Sequence, residues 1–192
     1  KIKKLYKIKS NRIISIPNVP SILLNKKKKI NIKKQFNIRD KFYFYPAQFW
    51  EHKNHLLILK AIKYLKNKNK NIHFVFSGRD KGNLTSIKKK IHEYELLDNV
   101  KIVGYVTDQE LFELYKSCEA LVMPSYFGPT NIPPVEAWSI GVPVLYASLN
   151  RIHGKNACLY FNANSSYQLS QAILDVKYNK KKLIKKGIKR YN

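Results

Sequence analysis

The chain has 192 residues with 44% apolar content, enough for one large domain with a sizeable core, and a formal net charge of +25. No apolar run approaches the ~20 residues needed to cross a bilayer, and no secretion signal opens the chain, which argues against membrane-spanning and exported classes. Cys118 and Cys158 lack zinc or redox spacing and read as reduced core residues, so the expected compartment is the cytoplasm.

Arg12–Asn18 reads as a short strand ended by Pro17-Asn18, with a second extended piece to residue 25; Lys26–Lys41 reads as a charged linker. One strand and a linker are not a domain. Residues 1–41 are therefore expected to be the end of an absent N-terminal domain plus a basic interdomain linker, and residues 42–192 a domain of their own. Phe42–Tyr45 is a buried strand, Pro46–His52 a loop, and Lys53–Lys66 a helix with Leu56, Leu57, Leu59, Ile62 and Leu65 at helical spacing. Ile72–Phe76 is a strand closed by Ser77-Gly78, and Asn83–Leu97 a charged helix. Val100–Val103 is a strand closed by Gly104, and Thr107-x-x-Glu110 is a capping box for a helix through Tyr115. Ala120–Met123 is a strand that breaks into a loop with Pro124, Gly128 and Pro129. A short helix follows, with Asn131 as N-cap, Pro133 and Pro134 in its first turn, Glu136 just behind, and Gly141 as its stop. Val142–Tyr146 and Ala157–Phe161 are further strands. Ser165-x-x-Gln168 caps a helix to about Lys177, and Lys180–Tyr191 reads as a separate, very basic helix.

This alternation of strands and helices, with near-continuous apolar strands, predicts an α/β fold: a doubly wound parallel sheet of about six strands, Rossmann-like. In such sheets ligands bind beyond the C-terminal strand ends, near the switch in strand order. Those ends here are Pro46–Asn54, Ser77–Arg79, Gly104–Val106 and Pro124–Asn131, where the unusual residues concentrate. The loop into the Glu136 helix suits an anion, since free N–H groups and the helix dipole point at it. Lys53 suits a diphosphate, or is one lysine of a lysine-rich surface; Arg79 is a second cation or a loop charge. Glu136 is a hydrogen-bond acceptor for a ligand or a cap on its own helix. His52 and His55 have no third partner at metal-binding spacing and no Asp-x-Asp exists, so no metal is expected and His55 is assigned to packing or a loop hydrogen bond. Hydrolase, P-loop and dinucleotide fingerprints are absent.

Residues 1–41 hold 14 Lys/Arg against one acid and residues 180–192 hold seven against none, while the stretch between holds 16 against 11. The excess lies in the ends, away from the candidate site. It reads first as solvated charge, second as attraction to an anionic membrane surface at the inner face, and last as a nucleic-acid surface, for which aromatic-rich basic motifs are missing.

Lys53-Asn54-His55, Ser77-Gly78, Asn99-Val100 through Gly104-Tyr105-Val106, Pro124-Ser125-Tyr126, Pro134-Val135-Glu136-Ala137-Trp138 and Gly141-Val142-Pro143-Val144 fall in an order and spacing that resemble a known domain. It is the C-terminal, donor-binding domain of retaining GT-B glycosyltransferases of the glycosyl transferases group 1 type. The similarity runs from about Arg12 to the C-terminus, and Ile16-Pro17-Asn18 resembles the crossover from the family's N-terminal domain.

The resemblance implies hexosyl transfer with retention from a nucleoside-diphosphate sugar to a glycan or lipid-linked acceptor, as in polysaccharide biosynthesis, with no metal or other cofactor. It implies that Lys53 contacts the donor diphosphate, that Glu136 is the second glutamate of a Glu-x7-Glu motif and holds the ribose, and that the Tyr105-Val106 backbone meets the base. The Gly128, Pro129, Thr130, Asn131 and Ile132 loop would face the phosphate and sugar, and Gly78 and Arg79 belong to the same site. Two positions depart from the pattern. The first glutamate falls at Gly128, and the arginine before the lysine falls at Gln48. Thr130 or Asn131 is then the candidate to reach the sugar. Other readings are a sugar-nucleotide epimerase with the same pocket, a non-catalytic nucleotide-binding module, and, last, a nucleic-acid-binding protein.

Overall fold

The computed structural model describes residues 5–14, 30–38, 41–128 and 131–191. Six strands, β1 (Phe42–Pro46), β2 (His73–Ser77), β3 (Val100–Gly104), β4 (Leu121–Met123), β5 (Val144–Ala147) and β6 (Cys158–Phe161), form one sheet in the order 3-2-1-4-5-6. Every pairing is parallel, with Phe44 opposite Val75 on one side and Leu121 on the other. The predicted doubly wound fold is present. The strands form where they do because both their faces are covered: Phe42, Phe44, Tyr45, Phe74, Phe76, Leu121 and Val144 are all buried. Burying each such side chain contributes about 1.5–3 kcal/mol.

The helices are α1 (Ile32–Gln35), α2 (His55–Lys66), α3 (Leu84–Glu93), α4 (Asp108–Ser117), α5 (Ile132–Ile140), α6 (Arg151–Gly154) and α7 (Ser166–Tyr191). The α4 capping box forms in full: Glu110 N–H donates to Thr107 Oγ1 at 3.3 Å, and Thr107 N–H donates to Glu110 Oε2 at 2.7 Å. Sheet order reverses between β1 and β4, so the loops after these strands face each other at the switch point.

Several elements differ from the sequence reading. Lys180 does not start a new helix, because α7 runs unbroken for 26 residues. The Asn179 amide donates to the Asp175 carbonyl at 3.1 Å, satisfying itself inside the helix. At about 1.5 Å per residue, α7 is long enough to pack its first half on α2, through Tyr167 against Tyr64, and its second on α5. There Gly187 lies under Trp138, where a Cβ would sit 2.6 Å from Cδ1. The third helix ends at Glu93 rather than Leu97, since Glu95 adopts a φ of 54°. Part of the predicted linker is docked: Ile32 of α1 is buried, and the Gln35 amide donates to the Glu110 carboxylate on α4. Ser10–Arg12 is a 3₁₀ turn and Ile14 is exposed, so no strand begins at Arg12; Ser15–Asn18 and the second extended piece lie outside the described residues. The short α6 and the 3₁₀ turn Ser148–Asn150 before it had no counterpart in the sequence reading.

Candidate functional site

The β1 and β4 loops are laced together by side chains from inside the sheet. The Tyr45 hydroxyl donates to the Lys53 carbonyl at 2.7 Å and lies 2.8 Å from Ser125 Oγ. Tyr126 N–H donates to the His52 carbonyl at 3.0 Å. Asn54, at a φ of 58°, sends its amide nitrogen to the carbonyls of Pro124 (3.2 Å) and Ala163 (2.9 Å). One buried asparagine thus ties together the chain after β1, β4 and β6. It also separates Lys53 from α2: Lys53 ends a 3₁₀ turn, Glu51–Lys53, rather than opening the helix as the sequence suggested. The left-handed Asn54 is the reason, because it breaks helical geometry between the two.

Between these loops lies a cleft of about 350 Å³ lined by Gln48, Lys53, Gly128, Asn131 and Ile132, five of the residues predicted for the site. Trp50 and His52, which were not predicted for it, line it too. Lys53 is half-buried, and desolvation lowers its ammonium pKa without any other cause opposing it. A partly desolvated cation binds an anion more strongly than one in open water. Opposite it is the start of α5, where Pro133 and Pro134 have no N–H to offer. The helix start therefore offers the amides of Asn131 and Ile132, neither of which donates to a backbone carbonyl among the described residues, a smaller set than the sequence implied.

Asn131 does not act as the side-chain N-cap predicted for it. Its φ is 28°, it is 8% exposed, and its amide nitrogen donates to Asn150 Oδ1 at 3.2 Å. Glu136 lies about one turn along α5 from Ile132 and is buried, and it does not line the cleft. It neither caps its own helix nor stands alone: the Tyr115 hydroxyl on α4 donates to its Oε2 at 2.7 Å. Burial raises its carboxyl pKa, the Tyr115 hydrogen bond opposes that, and Asp108 adds to the rise.

Arg79 and Tyr105 form a second cluster at the ends of β2 and β3, outside the cleft lining. The guanidinium sits 4.3 Å from the exposed Tyr105 ring centroid, and the neighbouring Val106 is buried. Gly78 N–H donates to the Gly104 carbonyl at 2.8 Å, holding these two strand ends together. Pro129 and Thr130 lie outside the described residues. His55 is fully buried, stacked on Phe49 at 4.5 Å, with neither ring nitrogen in a hydrogen bond of good geometry. Burial pushes its pKa down to about 3; the Ala47 backbone pulls weakly the other way, and Lys53 adds to the fall. Both cysteines are free and buried. Among the described residues no three of His, Cys, Asp and Glu gather closely enough to hold a metal ion, and no helix is long and apolar enough to cross a membrane.

Tyr115 and Asn150 were missed by sequence reasoning. Tyr115 is 21 positions from Glu136 and Asn150 is 19 from Asn131, so no local pattern connects either pair.

The sequence profile of the family "Glycosyl transferases group 1" matches residues 26–188. The O-antigen chain mannosyltransferase RfbU of Salmonella typhimurium is 28% identical over 177 residues, covering 91% of this chain and 47% of that protein. Among solved structures, a glycosyltransferase from Rickettsia africae superposes with a TM-score of 0.75 at 15% identity, over 100% of this chain and 56% of that one. Anabaena HepE in complex with UDP and glucose gives 0.70 at 14%, over 91% and 47%. At these identities the superpositions show the shared fold alone. The chain spans about half the length of the curated relative it matches along most of its own length. With the profile match covering most of its residues, the chain belongs to the glycosyl transferases group 1 family.

Proposed function

We propose that this domain holds the nucleoside-diphosphate part of a nucleotide-sugar donor, and that the protein transfers the hexosyl group with retention to a glycan or lipid-linked acceptor. The observation that carries this reading is that Lys53 and the Asn131 and Ile132 start of α5 line one cleft at the switch point, with Glu136 one turn behind. Lys53 and the two amides neutralise the diphosphate as it leaves, which is how a site without a metal stabilises charge in an oxocarbenium-like transition state. Gln48 adds a neutral donor. Glu136, behind the cleft with Oε2 held by Tyr115, would accept from the ribose hydroxyls through Oε1, and the Tyr105-Val106 turn, with Gly78 and Arg79 beside it, would meet the base beyond the cleft wall. Pro129 and Thr130 complete the phosphate and sugar loop. That HepE is seen with UDP and glucose supports a nucleotide donor, and RfbU supports a polysaccharide acceptor.

Residues 42–192 would be the donor half, residues 1–41 the lead from an N-terminal domain that supplies acceptor contacts and further catalytic groups. The chain alone then binds donor weakly and does not turn over. It works in the cytoplasm, where its basic ends would meet the anionic inner face of the membrane. Gly128 and Gln48, each replacing a charged residue of the family pattern, favour one second reading: a non-catalytic nucleotide-binding module. Release of nucleoside diphosphate by the full-length protein on addition of acceptor separates the two.

Titration calorimetry of this chain with UDP, GDP and a short DNA duplex at two salt concentrations tests the reading. Saturable nucleoside-diphosphate binding is expected, weakened about 10-fold or more by Lys53→Ala, as for loss of a charged hydrogen bond, and abolished by Glu136→Ala. Binding to DNA alone, with steep salt dependence, overturns it.

A further inference from the structure

We propose that the pocket between α1 and α4 is a binding site for an alkylammonium ion, which is held by the Glu113 carboxylate and clamps α1 to α4. No residue of this pocket lines the donor cleft, so the site stands apart from the donor-binding reading.

Around a volume of about 380 Å³, the α1 side of the pocket supplies Ile30, Asn31, Ile32 and Lys33, and α4 supplies Glu113 and Ser117. Glu113 is 8% exposed, yet among the described residues its carboxylate has neither a hydrogen bond nor an ion pair. Glu110, one turn earlier on α4, is in contrast held by Thr107 and Gln35. Lys33 shares the pocket but makes no ion pair with Glu113. A carboxylate that has lost most of its water and gained no partner is costly to bury, and a cation in the pocket relieves that cost. The setting is locally acidic although the chain is basic: residues 108–119 hold four of its 12 acids, Asp108, Glu110, Glu113 and Glu119, against Lys116 alone.

The lining selects the kind of cation. Glu113 is the only His, Cys, Asp or Glu side chain lining the pocket, and a metal ion needs several such ligands. Ile30 and Ile32 offer apolar surface to a methylene stem. Glu113, Ser117 and Asn31 bring three oxygen-bearing side chains, which match the three N–H donors of one ammonium group. Asn31 Oδ1 already accepts from Lys34 N–H at 3.1 Å and keeps a second lone pair. An ammonium that bonds Glu113 and Asn31 together bridges α4 to the start of α1.

Calorimetry of the full-length protein with butylammonium, putrescine and tetramethylammonium chlorides tests the site. One equivalent of butylammonium or putrescine is expected to bind. Tetramethylammonium, which carries the charge without an N–H, is expected to bind more weakly. Glu113→Gln keeps the shape and removes the charge, and weakens butylammonium about 10-fold or more, as for loss of a charged hydrogen bond. Lys33→Ala leaves binding intact. Butylammonium also slows hydrogen exchange at the Phe36 and Ile38 amides, which donate to the α1 carbonyls of Ile32 and Lys33, in wild type but not in Glu113→Gln. Tighter binding of putrescine than of Nα-acetyl-lysinamide identifies a free amine as the occupant, and the reverse order a lysine side chain of another protein. Absence of saturable binding, equal affinity in Glu113→Gln, or equal affinity for tetramethylammonium overturns the proposal. So does binding that appears only in Lys33→Ala, which would mean that Lys33 itself fills the site.

Discussion

The Tyr115 hydroxyl donates to Glu136 Oε2 at 2.7 Å, linking α4 to α5 through two buried side chains. Burial raises the Glu136 pKa and the Tyr115 bond only partly offsets it. A carboxyl whose folded pKa lies above its unfolded value keeps its proton longer when folded. Its contribution to stability is fully present below the unfolded pKa and is lost as pH rises through the folded one. Glu136→Gln keeps an acceptor for Tyr115 and removes the charge. Urea unfolding of the two proteins from pH 4 to pH 8 is expected to show the Gln variant gaining on wild type as pH rises. A constant difference across that range contradicts the assignment. Tyr115→Phe, which removes the bond favouring the charged form, moves the Glu136 titration further up.

His55 behaves in the opposite sense. It is buried between Phe49, Tyr45 and Phe76, and its pKa is pushed down to about 3. The folded protein refuses a proton that the unfolded chain accepts near 6.5, so stability is present above that pH and falls as pH drops toward 3. His55→Phe keeps a flat ring against Phe49 and leaves no unsatisfied ring nitrogen. Thermal unfolding between pH 4 and pH 7.5 is expected to fall less steeply toward acid in His55→Phe than in wild type. Parallel curves would mean that His55 is protonated in the fold.

The sheet was legible because its signal is local. Runs such as Phe42–Tyr45 and Ala120–Met123 are apolar at every position, which a strand covered on both faces requires. Thr107 and Glu110 announce the start of α4 because both halves of a capping box lie within four residues. The candidate site could be read as a set of strand ends, but the contacts around it could not. Nothing near Glu136 in sequence names Tyr115, and nothing near Asn131 names Asn150. The continuity of α7 was hidden for the same reason: Lys177-Tyr178-Asn179-Lys180 has no apolar face of its own. What carries the helix on is packing further along, where Leu183 is buried and Gly187 meets Trp138. Ser165 caps α7 as its spacing suggests, yet Gln168 Oε1 accepts from Asn162 N–H instead of completing a capping box. Such outcomes depend on which partner the tertiary fold brings near.

Gly78 is the residue on which the β1 loop rests. Its φ is 151°, and a Cβ there would overlap the Ala47 carbonyl oxygen and lie 2.9 Å from Gln48 Cα. These are backbone atoms that cannot rotate away, and they lead directly into the cleft wall at Gln48. Gly78→Ala must therefore lift the loop or shift the end of β2, where Gly78 N–H is held by the Gly104 carbonyl. The expected loss is about 1–3 kcal/mol, the usual scale for forcing extra volume into a packed site. Gly82 supplies the control, with a φ of 95° and nothing within 4 Å of its Cβ position. Gly82→Ala carries only the backbone strain of an L-residue at positive φ, on the order of 1 kcal/mol. Urea unfolding of the two variants separates the effects, and nucleoside-diphosphate affinity locates them. Gly78→Ala is expected to be the less stable and to bind more weakly, because its strain is relieved at Gln48. Equal stability and unchanged affinity in both would show that the loop yields freely, and that the close approach of Ala47 to Gly78 does not position the cleft.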